Sequence, residues 1–200
     1  MSKYIAITGD VVQSRNTTEI AFADLKKTLT LFNQQFNPTV PFTIQAGDEI
    51  QGLMSVTGEP VLSLLWFLGM VYPLKVRWGV GRGGINSTPR LSTSEMRGEA
   101  FEYSREALKV SKKKNRLFSY FSSENNRDQI NLIFGLLSGY LDDWNKMAYR
   151  RCQLYSGSKT IYKVAEYEGV STEAINKHMN RTKIRLVLEA VRFLDKNIFS

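Results

Sequence analysis

Two aspartates, Asp10 and Asp48, each follow a glycine in surroundings that could do metal and phosphate chemistry. Gly9-Asp10 reads as a short turn after the strand-like run Tyr4-Ile5-Ala6-Ile7, and Asp48 sits in a second turn inside Phe42-Thr43-Ile44-Gln45-Ala46-Gly47-Asp48-Glu49-Ile50. Carboxylates brought together offer hard oxygen ligands, which suit Mg2+ or Mn2+ holding a phosphate. Gly-Asp is also ordinary turn chemistry, so a second reading has these pairs only shaping bends. Beside Asp10, the main-chain N–H groups of Val11, Val12, Gln13 and Ser14 are expected to cradle phosphates as strand turns into helix, with Arg15 as charge partner. The run Gly79-Val80-Gly81-Arg82-Gly83-Gly84 offers backbone approach to a phosphate, with Arg82 supplying charge. It lacks the closing Gly-Lys-Ser or Gly-Lys-Thr of a P-loop, so a hairpin or strand exit is the competing reading.

For those acids to meet, the chain between them must return to the same edge of a sheet. Apolar residues at helical spacing predict a helix over 18–36, stopped by Pro38 and Pro41. Residues 42–46 and 50–56 read as strands around the Gly47-Asp48 turn, which makes a hairpin. Gly58-Glu59-Pro60 opens a deeply packed helix, and 74–80 reads as a strand with Lys75, Arg77 and Gly79 alternating against Val76, Trp78 and Val80. The resulting β-α-β-β-α-β order predicts an α+β fold of the ferredoxin-like or palm type. Beyond it, 85–97 reads as an irregular loop, 98–112 as a helix ending in Lys112-Lys113-Lys114, 116–121 as a strand and 128–144 as a long amphipathic helix. The basic run reads as a solvated helix end. The predicted division is a palm over 1–125, a connecting helix over 126–144 and a helical domain over 145–200.

The palm region is similar to class III nucleotidyl cyclases and, more closely, to the bacterial SatD family, whose chains often add a C-terminal helix-turn-helix. The residues that carry the likeness are 7–15, 46–53, 76–81 and Gly98-Glu99-Ala100-Phe101-Glu102-Tyr103-Ser104-Arg105-Glu106-Ala107-Leu108. In the cyclases, aspartates matching Asp10 and Asp48 hold two metal ions that clamp a nucleoside triphosphate; the resemblance implies that role here. The pattern departs where cyclases place an asparagine and, four residues later, an arginine to steady the transition state. Here those positions bring Glu102 and Glu106, with Arg105 out of register, and Ile44 lies near the place of the base-selecting lysine. Binding of a nucleotide or metal is therefore better supported than turnover. Glu49, Glu102 and Glu106 either extend the acidic cluster or are ordinary exposed glutamates.

Residues 158–180 follow a helix-turn-helix pattern: Ala165 small at a helix crossing, Gly169 permitting the turn, Val170 plugging the core, Ser171 capping and Ile175 packing inward. The second helix offers Thr172, Glu173, Asn176, Lys177 and Asn180 to a major groove, with Arg181, Lys183 and Arg185 near phosphates. A helical bundle used for dimerisation is the competing reading. The formal charge of +8 favours the nucleic-acid reading through its distribution, because residues 145–200 hold eleven Lys or Arg against five Asp or Glu. The final helix, 181–194, carries an apolar stripe that either covers the module or pairs two protomers, and two-fold operator symmetry predicts a homodimer.

Composition narrows the remaining chemistry. The lone Cys152 excludes an internal disulfide and a multi-cysteine zinc site, while the lone His178 argues against a His-based triad. The most apolar stretch, 61–72, is too short to cross a bilayer, and the N-terminus lacks a secretory pattern, which predicts a cytoplasmic protein with no membrane partner. The sequence thus predicts a nucleotide- or metal-binding palm joined to a DNA-binding helix-turn-helix, a transcriptional regulator. The alternatives are an active metal-dependent nucleotidyl cyclase or transferase, and an inert palm scaffold.

Overall fold

The computed structural model describes residues 3–13, 19–45, 47–90 and 92–198. Among them are a five-stranded mixed sheet and eight α-helices, as the α+β expectation requires. The chain runs β1 (Tyr4–Val11), α1 (Glu19–Phe36), β2 (Val40–Ile44), β3 (Glu49–Ser55), α2 (Pro60–Val71) and β4 (Val76–Gly83). It continues through α3 (Glu99–Lys114), β5 (Phe118–Phe121), α4 (Arg127–Asp142), α5 (Lys146–Ser158), α6 (Ile161–Glu168), α7 (Thr172–Thr182) and α8 (Ile184–Ile198). The segment between β4 and α3, read as irregular, holds one 3-10 turn over Thr93–Glu95.

Strand order is β2-β3-β1-β4-β5, with β1 antiparallel to both β3 and β4 and β5 parallel to β4. The parallel pair needs a crossover, which α3 supplies. Both faces of the sheet are covered, so the central strands are buried along almost their whole length instead of alternating with solvent. On one face Ile5, Ile7, Trp78 and Val80 meet the helices of the larger core. On the other, Ala6 and Leu53 pack with Ala100 and Phe101 of α3.

Glycines decide how closely α3 can approach. A side chain at Gly79 or Gly81 would fall inside the backbone of α3 at Ser104 and Leu108 or at Ala100 and Ser104. The glycine-rich run expected to hold a phosphate is therefore the seat of a helix, and it is the last part of β4, which the chain leaves after Gly83, not a hairpin. Gly9 plays the same part on the opposite face, where its missing side chain leaves room for the Trp78 ring. Gly9-Asp10 is accordingly strand, not turn; only Gly47, with φ +76°, fits the turn reading.

Each edge strand is closed by an asparagine from a neighbouring helix. Asn33 accepts from the Phe42 N–H at 2.8 Å and donates to the Phe42 carbonyl at 2.9 Å; Asn131 does the same for Tyr120 at 2.9 and 2.8 Å. These bonds satisfy backbone groups that would otherwise template pairing with another chain.

The C-terminal helices do not stand apart. One continuous apolar core runs from Ile5 and Trp78 through Phe67 and Phe134 to Val164, Ile175 and Leu194. Helix α8 packs on α2 and α4, and α5 packs on α2. Two buried bonds complete the junction, from the Val61 and Leu62 N–H groups at the start of α2 to the Asp195 carboxylate of α8, at 2.7 and 3.1 Å.

Candidate functional site

The antiparallel register sets the acidic cluster. Asp10 stands directly opposite Glu49 of β3 and, on its other side, opposite Arg77 of β4. Directly paired residues share a face with Cβ atoms roughly 4.5–5.5 Å apart. The face is the one covered by α3, and the C-terminal turn of that helix delivers Lys112, whose ammonium donates to Asp10 Oδ1 at 2.6 Å. Arg77 donates to the Asn115 side-chain carbonyl at 2.8 Å, and Asn115 itself ends α3 in the left-handed conformation, φ 50°. Asp48 is the residue before Glu49, in the half-buried hairpin turn. The fold thus brings the Asp10 strand end and the Asp48 hairpin to one edge, with Glu49 as the acid facing Asp10.

A buried polar relay holds α3 over this edge. Ser104 donates to the Phe101 carbonyl at 2.9 Å, so its oxygen must accept from Thr8, 2.8 Å away; Gln51 in turn donates to Thr8 at 3.2 Å. About two turns further on, Ser111 donates to the Trp78 carbonyl at 2.8 Å. These contacts fix the rotation of α3, and that rotation aims Lys112 at Asp10. It also sends Glu102, Arg105 and Glu106 outward, where Glu106 pairs with Lys109 at 2.6 Å. Both glutamates stand on the solvent side of α3, away from Asp10.

At the other end of the molecule, α6 and α7 are joined by a tight turn. Thr160 caps α6 by accepting from the Lys163 N–H, Gly169 ends it at φ 65°, and Ser171 caps α7 by accepting from the Ala174 N–H. Val164, Ala165, Ile175 and Met179 bury the inner faces. Beneath them, Arg151 is 8% exposed and makes a charge-assisted pair with Glu168 at 2.8 Å, with Arg150 at 3.8 Å from the same carboxylate. His178 is buried beside this pair, and burial together with the Arg151 charge lowers its pKa. It is a buried residue of the helical core. Cys152 is inert, its thiol pushed up to about 12 by burial. The outer face of α7 leaves Glu173, Lys177, Asn180 and Arg181 in solvent, one stripe at i, i+4, i+7 and i+8.

A family model for the SatD family matches residues 4–193. The chain belongs to the SatD family. No curated protein matches this SatD-family chain. A solved structure, that of a bacterial light-regulated adenylyl cyclase, matches with 11% identity and a TM-score of 0.42, over 60% of this chain and 75% of that one.

In this SatD-family chain several expected site residues are engaged elsewhere. Val11 is buried strand opposite Val76, the Val12 N–H is spent on the Lys75 carbonyl at 2.9 Å, and Gln13 is exposed with φ 56°. The expected run of free main-chain donors is therefore broken at its second member; Ser14 and Arg15 lie outside the described residues. Arg82 does not join the cluster. It pairs with Ile5 in register, five residues up β1 from Asp10 and on the opposite face, and it is buried in an ion pair with Glu124. At about 3.3 Å per residue the separation along the strand is roughly 16 Å. Val170, expected to plug the helical core, is 41% exposed, because the left-handed Gly169 turns it outward and Ile175 and Met179 fill the space. Asn176 and Asn180 are tied together on the surface of α7: Arg185 donates to both side-chain carbonyls at 2.9 Å. Thr172 bonds Glu173 at 3.3 Å, and Lys183 is the exposed, left-handed hinge between α7 and α8.

The donor set does not fit a pair of metal ions as it stands. Among the described residues no three His, Cys, Asp or Glu side chains gather where they could hold one ion. The Lys112 ammonium already neutralises Asp10, and a divalent cation would have to displace it. Lys112, read as part of a solvated helix end, is instead the partner of Asp10, and neither that contact nor the direct Asp10–Glu49 pairing stands out in the sequence. The alternation of Lys75 and Arg77 with Val76 and Trp78 was the one available signal that a charged face ran beside Asp10. No helix among the described residues is long and apolar enough to cross a membrane.

Proposed function

We propose that this chain is a DNA-binding regulator in which α6 and α7 form a helix-turn-helix and a palm-like sheet domain carries it. The observation that supports the reading most is the outer stripe of α7. It follows a capped, left-handed turn, stands clear in solvent and joins two cations to an amide and one carboxylate. Lys177 and Arg181 suit phosphates, while Glu173 near the helix start suits the exocyclic amine of cytosine. The excess of six positive charges over 145–200 gives the same region the electrostatic attraction that dominates affinity for duplex DNA. Gel-shift titrations of the whole chain on random-sequence duplex at several salt concentrations test this. Lys177→Ala with Arg181→Ala should lower the salt slope by about two and weaken binding on every sequence. Binding that is absent in wild type, or unchanged in the double variant, refutes the reading.

A second reading, a nucleotide or Mg2+ or Mn2+ site in the palm, rests on Asp10 facing Glu49 at the sheet edge beside the Asp48 turn. The outward placing of Glu102 and Glu106 and the pairing of Asp10 with Lys112 favour a binding site over an active nucleotidyl cyclase or transferase.

A further inference from the structure

Helices α4 and α8 lie side by side and leave one large apolar face in water. Leu132, Leu136 and Tyr140 project from α4 at i, i+4 and i+8, and are 66%, 60% and 41% exposed. Leu186 and Phe193 project from α8 at i and i+7, 48% and 51% exposed. Between the two ridges runs a groove of about 430 Å³ floored by Leu137 and Val187. This is a second apolar stripe on α8: Ile184, Val187, Leu188, Val191 and Leu194 already pack inward, so the fold itself does not account for Leu186 and Phe193.

We infer that this α4–α8 face is the contact between two copies of the chain. Taking about 200 Å² for a fully open large side chain, the five exposures leave roughly 500 Å² in water. A stable interface buries about 800 Å² per partner, with an apolar centre and a polar rim, and the patch supplies that centre. Its size is at the upper end of what a monomer exposes.

Three features select a second copy over another occupant. A small molecule in the groove would leave Leu132, which lies outside it, uncovered. An acidic partner, which the overall +8 would attract, finds no cation among the groove residues, whose one charged member is Glu189. Two neighbouring ridged helices meeting their own copy form a four-helix arrangement, in which each ridge finds a groove of the same shape. The inference stands whether or not α7 binds DNA.

Light scattering coupled to size exclusion, run on the full chain without nucleic acid across a range of micromolar concentrations, tests the contact. Wild type should show about twice the 22.8 kDa chain mass. Leu136→Glu with Phe193→Glu should show the single mass, because each copy would bury two carboxylates without partners. Leu132→Glu alone should weaken the dimer by roughly tenfold or more. All three positions are exposed, so circular dichroism and melting temperature should stay near wild type; if the double variant fails to fold, Leu132→Glu alone decides. A wild type that stays monomeric overturns the inference, and so does a dimer that survives in the folded variants.

Discussion

Asp195 gives the sharpest prediction, because it is a buried acid that joins α8 to the start of α2. Helix α2 begins at Pro60 behind Glu59, whose side chain makes no capping bond, so the first N–H groups need a partner from elsewhere. Asp195 provides it from α8, 7% exposed, and burial pushes its pKa from 3.8 up to about 7, the two N–H bonds opposing and Glu59 adding to the rise. The unfolded chain ionises this carboxyl near its ordinary value while the folded chain keeps it protonated until near neutrality. Its contribution to stability is therefore complete below the unfolded value and is lost as pH climbs through the folded one. Each pH unit between the two costs about 1.4 kcal/mol, so from about pH 5 to above about pH 7 the loss approaches 3 kcal/mol. Asp195→Asn keeps one acceptor but does not titrate. Urea unfolding of wild type and variant at about pH 5 and pH 8 should therefore show the stability difference moving by about 3 kcal/mol in favour of the variant, with other titrations cancelling in the difference. Parallel pH profiles would refute the reasoning, since they would mean that Asp195 ionises equally in both states.

The acidic edge and the helix seat are testable in the same way. Lys112→Ala removes the ammonium that neutralises Asp10, so Mn2+ should raise the melting temperature of the variant more than that of wild type. The extra rise should vanish when Asp10→Ala is added; equal shifts in all three would remove the cation reading of this edge. Gly81→Ala forces a methyl into the α3 backbone and should destabilise by about 3 kcal/mol or more, whereas Gly139→Ala, with open space around it, should be neutral or slightly stabilising; calorimetry separates them.

Periodicity and punctuation carried the element order well. The first helix, read over 18–36, is α1 at Glu19–Phe36, and the strand read over 116–121 is β5 at Phe118–Phe121. Glycine was the residue most open to misreading. The run 79–84 looks the same in sequence whether it faces a phosphate or a helix, and only the approach of Ser104 and Leu108 distinguishes the two. Val170 fails for a related reason: a helix-turn-helix pattern assigns it inward, but the path of the chain after Gly169 is set by which other side chains already fill the core.

What the linear chain determined is what depends on neighbours along it: helix and strand spacing, the caps at Thr160 and Ser171, the left-handed Gly169, and the concentration of positive charge near the C-terminus. What tertiary structure alone decided is every pairing between distant residues. Lys112 reaches Asp10 across 102 positions and Asp195 reaches Val61 across 134. Such contacts arise because packing of α3 against a glycine surface and of α8 against α2 fixes rotation and depth to within a fraction of a side chain, and local propensity holds no record of either.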